Sequence, residues 1–158
     1  YGNLCQRVFS FIKKNCGNKI PKKNKLIEVD IKLINNIKNN ISKLVDYINN
    51  QNLNDYIKMV INFSFEANKY FNDSEPWALK KKDPERMNAI LYTIVEQIKN
   101  ISILLNPIIP ISTKKVLDTI NLSDKNISIE NIKKENILDC NLELKNLDIL
   151  FNKIDNDN

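Results

Sequence analysis

The residues best suited to chemistry surround Trp77, the single tryptophan of this 158-residue chain. It follows Pro76 at the end of the run Ala67-Asn68-Lys69-Tyr70-Phe71-Asn72-Asp73-Ser74-Glu75, and Lys80-Lys81-Lys82 stand just beyond it. A large flat ring directly after a proline lies where a helix has stopped, and such a ring often faces outward. With three cations beside it, the combination suits an unpaired nucleic-acid base: the indole offers a π-face and the lysines offer charge for phosphates. The competing reading is a core tryptophan followed by a solvated lysine run. For this segment taken alone, that is the more common arrangement.

A second group sits near the N-terminus. Asn3, Arg7, Ser10 and Lys14 recur at helical spacing, opposite the apolar Leu4, Val8 and Phe11. Asn3 and Arg7 are one turn apart, so their tips can reach one small object. An amide supplies a donor and an acceptor, and a guanidinium supplies several donors. Cytosine presents N3 and O2 as acceptors and its amino group as a donor, so the pair matches that edge better than it matches uracil. Ser10 and Lys14 are read as a solvated face, with Lys14 a supporting phosphate contact alongside Lys80, Lys81 and Lys82. Asn3, Arg7 and Trp77 are expected to converge on a single shallow pocket.

Composition removes other chemistries. There is no histidine, and the three cysteines, Cys5, Cys16 and Cys140, show no paired metal-ligand spacing. Zinc would lack ligands, and histidine-assisted serine or cysteine nucleophiles are excluded. An odd, unpaired set of thiols fits a reducing compartment, so a cytoplasmic location and three buried, inert thiols are expected. No apolar run approaches the roughly 20 residues of a membrane span. The net charge of +5 is uneven: residues 1–82 hold 15 basic and 7 acidic side chains, and residues 83–158 hold 9 and 12. Only the first half could attract a polyanion. A lysine-, asparagine- and isoleucine-rich composition also follows from AT-rich coding, which leaves the two arginines, Arg7 and Arg86, as the more telling cations.

These side chains must be positioned by helices. Apolar spacing predicts helices over about residues 1–15, 30–47, 54–71, 83–105 and 112–120, with Asp30 as an N-cap and Asp83-Pro84-Glu85 as a helix start. The expected fold is therefore all-α, an antiparallel bundle of about five helices over residues 1–122. Residues 123–158 form a C-terminal extension whose Ile149-Leu150-Phe151 cluster should pack back on the bundle or on a further domain. The opening Tyr1-Gly2-Asn3-Leu4 reads as helix interior, which predicts a segment of a longer polypeptide. Arg86 is expected to pair with a nearby acid such as Asp83.

Three segments occur in fixed order: Gly2-Asn3-Leu4-Cys5-Gln6-Arg7, then Ala67-Asn68-Lys69-Tyr70 leading to Pro76-Trp77, then Leu105-Asn106-Pro107-Ile108-Ile109-Pro110. Together they resemble the C-terminal anticodon-binding bundle of the methionyl-tRNA synthetase family, with its G-N-L-x-x-R helix, its A-N-x-Y-x(5)-P-W helix end and its L-x-P-x-x-P helix exit. The exit is shared with sister class I synthetases; the first two elements at this separation are more specific. The closing Leu150-Phe151-Asn152-Lys153-Ile154 resembles the L-F-x-R-I ending of many bacterial members, with lysine in place of arginine. The resemblance implies that Asn3 and Arg7 contact the anticodon CAU, chiefly its first cytosine. It implies that Trp77 stacks on an anticodon base and that Pro76 fixes the approach of the ring. It also implies a methionine-accepting tRNA as partner, bound through its anticodon loop, and a catalytic domain elsewhere in the same polypeptide that uses ATP and Mg. No H-I-G-H-like or K-M-S-K-S-like motif occurs in this chain, so it is expected to have no catalytic residue, metal or cofactor of its own. The alternatives are the equivalent bundle of a leucyl-, isoleucyl-, valyl- or cysteinyl-tRNA synthetase, and a helical protein-interaction domain that binds no RNA.

Overall fold

The computed structural model describes residues 1–148, 150 and 151. The chain opens with helix α1, Gly2–Asn15, which buries Leu4, Cys5, Val8, Phe9 and Ile12. Gly17 turns the chain out of it at φ +60°, where a side chain is disfavoured. A Cβ there would meet nothing within 4 Å, so Gly17→Ala should cost the backbone term alone. That is about 1 kcal/mol in a urea titration.

The single helix expected over 30–47 is instead two, α2 (Glu28–Asn39) and α3 (Ile41–Asn49). Asn40 breaks it. Its side-chain amide donates to the Asn36 carbonyl at 2.7 Å, and its own N–H closes onto Ile37 O. A side chain that bonds the preceding turn competes with the helical ladder. Helix α4, Leu53–Ser74, runs three residues further than the spacing predicts. It stops at Glu75, which is left-handed at φ 44° and ψ 58°. The residue before a proline is pushed out of the right-handed helical region, and Pro76 follows. Tyr56, Val60, Ala67 and Phe71 of α4 are buried, whereas Phe65 is 67% exposed.

Pro76 then opens a one-turn helix, α5 (Pro76–Leu79). Helix α6, Pro84–Leu105, starts as the sequence predicts, with the Asp83 carboxylate accepting from the Arg86 N–H. From Ala89 to Leu105 every residue of α6 is buried, including Lys99, which donates to Glu96. A helix buried on all sides sits at the centre of a bundle, although this one also carries Thr93, Glu96, Gln97, Asn100 and Ser102 inside, and α1, α2, α4, α5, α7 and α8 all pack on it. Helix α7, Pro110–Thr119, takes Pro110 as its first residue rather than starting after it. A single 3₁₀ turn, Asp124–Asn126, and the short α8, Ile129–Ile132, lead into an irregular strap.

The strap returns along α1. Leu144 N–H donates to Asn18 O, the Asn18 amide donates to Leu144 O, and the Gln6 amide donates to Asp148 O. Leu150 packs against the core, and Phe151 lies over Gly2, where a Cβ would come within 3.1 Å of the Phe151 ring. Asn152, Lys153 and Ile154 of the closing motif, and Ile149, lie outside the described residues. Among the described residues there is no strand, only an isolated bridge between Lys19 and Glu143. The architecture is all-α, and no described helix is long and apolar enough to cross a membrane.

Three expectations are corrected. Asp30 is not the N-cap of α2, a place taken by Ile27, but the third residue of the helix, reaching back to the N-cap. It lies inside the first turn, fully buried, and accepts from Ile27 N–H at 3.0 Å. The Arg86 guanidinium does not pair with Asp83 but forks onto both Asp30 oxygens at 2.6 and 2.8 Å, and Tyr70 donates its hydroxyl to the same carboxylate. This network ties α2, α4 and α6 together. Of the thiols, only Cys5 is buried, where burial pushes it up to about 12; Cys16 and Cys140 are half-buried.

Candidate nucleic-acid interface

Three elements meet at Trp77. Buried Pro76 anchors α5, and the left-handed Glu75 before it swings the chain off the end of α4. The indole therefore leaves the bundle sideways and stays 46% exposed. One part of it packs on Phe71, ring centroids 5.6 Å apart and planes at 78°. That edge-to-face contact fixes the ring while leaving indole surface free.

Phe71 is buried at the end of α4 and holds a second group. The Arg7 guanidinium lies 5.1 Å from its ring centroid, and Arg7 Nη2 donates to the Asn72 side-chain oxygen at 2.8 Å. A cation over a ring face gains about 0.5–1 kcal/mol at such a half-open site. Arg7 is therefore held by two partners and still has unused N–H donors. Together Arg7, Ser10, Phe11, Lys14, Asn15, Phe71 and Trp77 line one shallow depression of about 270 Å³. An aromatic wall with two cations and an amide is what an unstacked, negatively charged nucleotide needs.

Asn3 is not in that depression. It is exposed, one turn back along α1, and lines a neighbouring hollow with Gly2, Gln6, Leu147, Leu150 and Phe151. The expected single pocket is thus two adjacent ones. The cause is tertiary: the C-terminal strap lies along α1 and supplies the second hollow with its own apolar wall. Lys80, Lys81 and Lys82 are exposed at the turn after α5, and the charge of Lys80 bears on Cys16 at the end of α1. Neither Phe71 nor Asn72 stands out in the sequence as a site residue. Their partner Arg7 is 65 residues from Asn72, and no local spacing encodes that meeting. No group of three or more His, Cys, Asp or Glu residues able to hold a metal occurs among the described residues.

A family model described as the anticodon binding domain of methionyl tRNA ligase matches residues 20–158. The chain belongs to this family. The match covers Trp77 and the lysine run; Asn3 and Arg7 precede it. The methionine–tRNA ligase of Mesorhizobium japonicum is 35% identical over 117 residues, covering 74% of this chain and 23% of that protein. That of Rickettsia bellii is 34% identical over 141 residues, covering 82% of this chain and 27% of that protein. The chain thus spans about a quarter of the length of these curated relatives. The same fold occurs in the Mycobacterium tuberculosis methionyl-tRNA synthetase in complex with methionyl-adenylate, with a TM-score of 0.89 at 24% identity. There the similarity covers 96% of this chain and 30% of that one. In this anticodon-binding domain of methionyl-tRNA synthetase, the Trp77 depression is the candidate surface for base recognition.

Proposed function

We propose that this domain reads the CAU anticodon of a methionine-accepting tRNA, with the first cytosine seated in the depression between Arg7 and Trp77. The observation that carries this reading is a half-exposed indole held edge-on by Phe71 beside a guanidinium that is already oriented. Anticodon bases are single-stranded and can be splayed out for stacking and edge contacts. Stacking on Trp77 would contribute about 1–3 kcal/mol. The free donors of Arg7 suit the acceptors of cytosine, and Lys14 stands ready for a phosphate. Asn3, in the adjoining hollow, contacts the same base from its far edge or the next nucleotide. Pro76 serves by fixing the indole.

On this reading the domain supplies recognition, and the catalytic domain of a longer cytoplasmic polypeptide joins methionine to the tRNA with ATP and Mg. The test is binding of an anticodon stem-loop. Changing the first cytosine to uracil should weaken binding by about 5–150-fold, the effect of a two-point edge contact worth about 1–3 kcal/mol. Equal affinity for the two loops would remove the base-reading role and favour a helical interaction domain. Preference for another anticodon would point to a sister synthetase.

A further inference from the structure

Helices α2 and α6 run side by side in the same direction. Arg86 meets Asp30 at one end, and further along α2 the charge of Lys38 bears on Lys99. A hollow of about 320 Å³ opens between the two helices, walled on its other sides by the linker after α1 and by the C-terminal strap. That is the size of a small-molecule site. It shares no lining residue with the Trp77 depression, and base recognition makes no use of it. The wall changes character along α2. Ile31 and Ile34, with Leu26 from the linker, make it apolar; Lys38, two turns on from Ile31, makes it cationic.

The facing wall belongs to α6. Glu96 is only 4% exposed. Its Oε1 accepts from Lys99 at 2.5 Å, while Oε2 is buried with no partner among the described residues. Gln97 and Asn100 also hold buried, unpartnered atoms, but of the three only Glu96 lines this hollow. A buried carboxylate oxygen without a donor costs free energy that a ligand N–H would recover. Glu135 of the strap adds a second carboxylate. Burial, then the charges of Glu96, Cys140 and Glu135, push the Tyr92 hydroxyl up, so both carboxylates act on one phenol in the wall. With the exposed Lys23, the lining carries two positive and two negative side chains. A ligand of a single charge would face like charges whichever sign it had. One with both signs and an apolar part matches the whole lining.

We propose that this hollow binds a free α-amino acid with an apolar side chain. Its ammonium is held by Glu96 and Glu135, its carboxylate by Lys38 and Lys23, and its side chain by Leu26, Ile31 and Ile34. Such a molecule carries both charges on one carbon and its apolar part to one side. That is the order in which α2 presents Lys38, then Ile34 and Ile31. Charge-assisted hydrogen bonds fix the head group, and burial of the side chain adds to the affinity. The site acts without RNA and does not depend on the reading of the Trp77 depression.

The test titrates the whole chain, labelled with nitrogen-15, with L-leucine and with L-methionine while amide chemical shifts are followed. At least one of the two should give saturable shifts that include Ile34, Tyr92 and Glu135. L-leucine amide, which lacks the carboxylate, and N-acetyl-L-leucine, which lacks the ammonium, should each bind at least about 10-fold more weakly than L-leucine, the effect of losing one charge-assisted contact. Glu135→Gln changes an exposed side chain, so the fold is kept, and it should weaken amino-acid binding several-fold; Lys38→Gln should do the same. Trp77→Ala should leave amino-acid binding unchanged. No saturable shift with either amino acid at millimolar concentration would overturn the site. Equal affinity for the amide or the N-acetyl compound, or shifts centred on the Trp77 depression, would overturn the assignment of its ligand.

Discussion

Asp30→Ala is expected to destabilise the bundle by about 3–5 kcal/mol in chemical denaturation. The Asp30 side chain is fully buried and that of Arg86 is 20% exposed. Removing the carboxylate strands a guanidinium and the Tyr70 hydroxyl without their acceptor. Most of the cost is that uncompensated desolvation, not the strength of the pair itself. Replacing Asp30 and Arg86 together by apolar residues of similar volume should therefore cost much less than either change alone.

The same carboxylate makes stability depend on pH. Burial pushes the Asp30 carboxyl up, but hydrogen bonds from Arg86, Tyr70 and the Ile27 N–H, with the Arg86 charge, outweigh that and hold it below its ordinary 3.8. A carboxyl depressed in the folded state binds fewer protons there than in the unfolded chain. Its contribution is complete above the ordinary carboxylate range and is lost as pH falls through the lowered folded value. Acid titration of stability should accordingly show a component below 3.8 that is missing in Asp30→Ala. Tyr70 shifts the other way: burial, then its bond to Asp30, keeps its hydroxyl protonated as a donor.

The second large effect is on binding. Trp77→Ala should weaken stem-loop affinity by about 5–150-fold, from a stacking term of about 1–3 kcal/mol. Helix content should be kept, because the indole is 46% exposed and Pro76, not Trp77, anchors α5. Trp77→Phe keeps a π-face of smaller area and should recover part of the loss. A core tryptophan would behave differently, since its truncation would cost about 3–5 kcal/mol of stability.

Much of this arrangement is written locally. Leu4, Val8 and Ile12 on α1 announce a buried face, and Asp83-Pro84 announces the start of α6. The helix stop before Pro76 follows from proline sterics; the left-handed turn at Glu75 that delivers Trp77 to the surface does not, since proline favours extended backbone before it. What local reading misses is long-range. Asp30 looks like a cap because it precedes an apolar repeat; its real partners, Tyr70 and Arg86, are 40 and 56 residues away. Asn3 and Arg7 look like one site because they are one turn apart on α1. They are divided by a strap that arrives from the other end of the chain and seats Phe151 over Gly2. Asn40 breaks α2 from α3 through an amide bond to its own preceding turn, a break that the helical spacing of the isoleucines masks.

A stacked pair can be tested by removing each partner in turn. Stem-loop affinity is measured for the unsubstituted chain and for Trp77→Ala, each with the intact loop and with a loop lacking the first anticodon base. If the indole stacks on that base, deleting the base weakens binding to the unsubstituted chain and has little further effect on Trp77→Ala. An equal penalty in both proteins would place the base elsewhere and contradict the central claim.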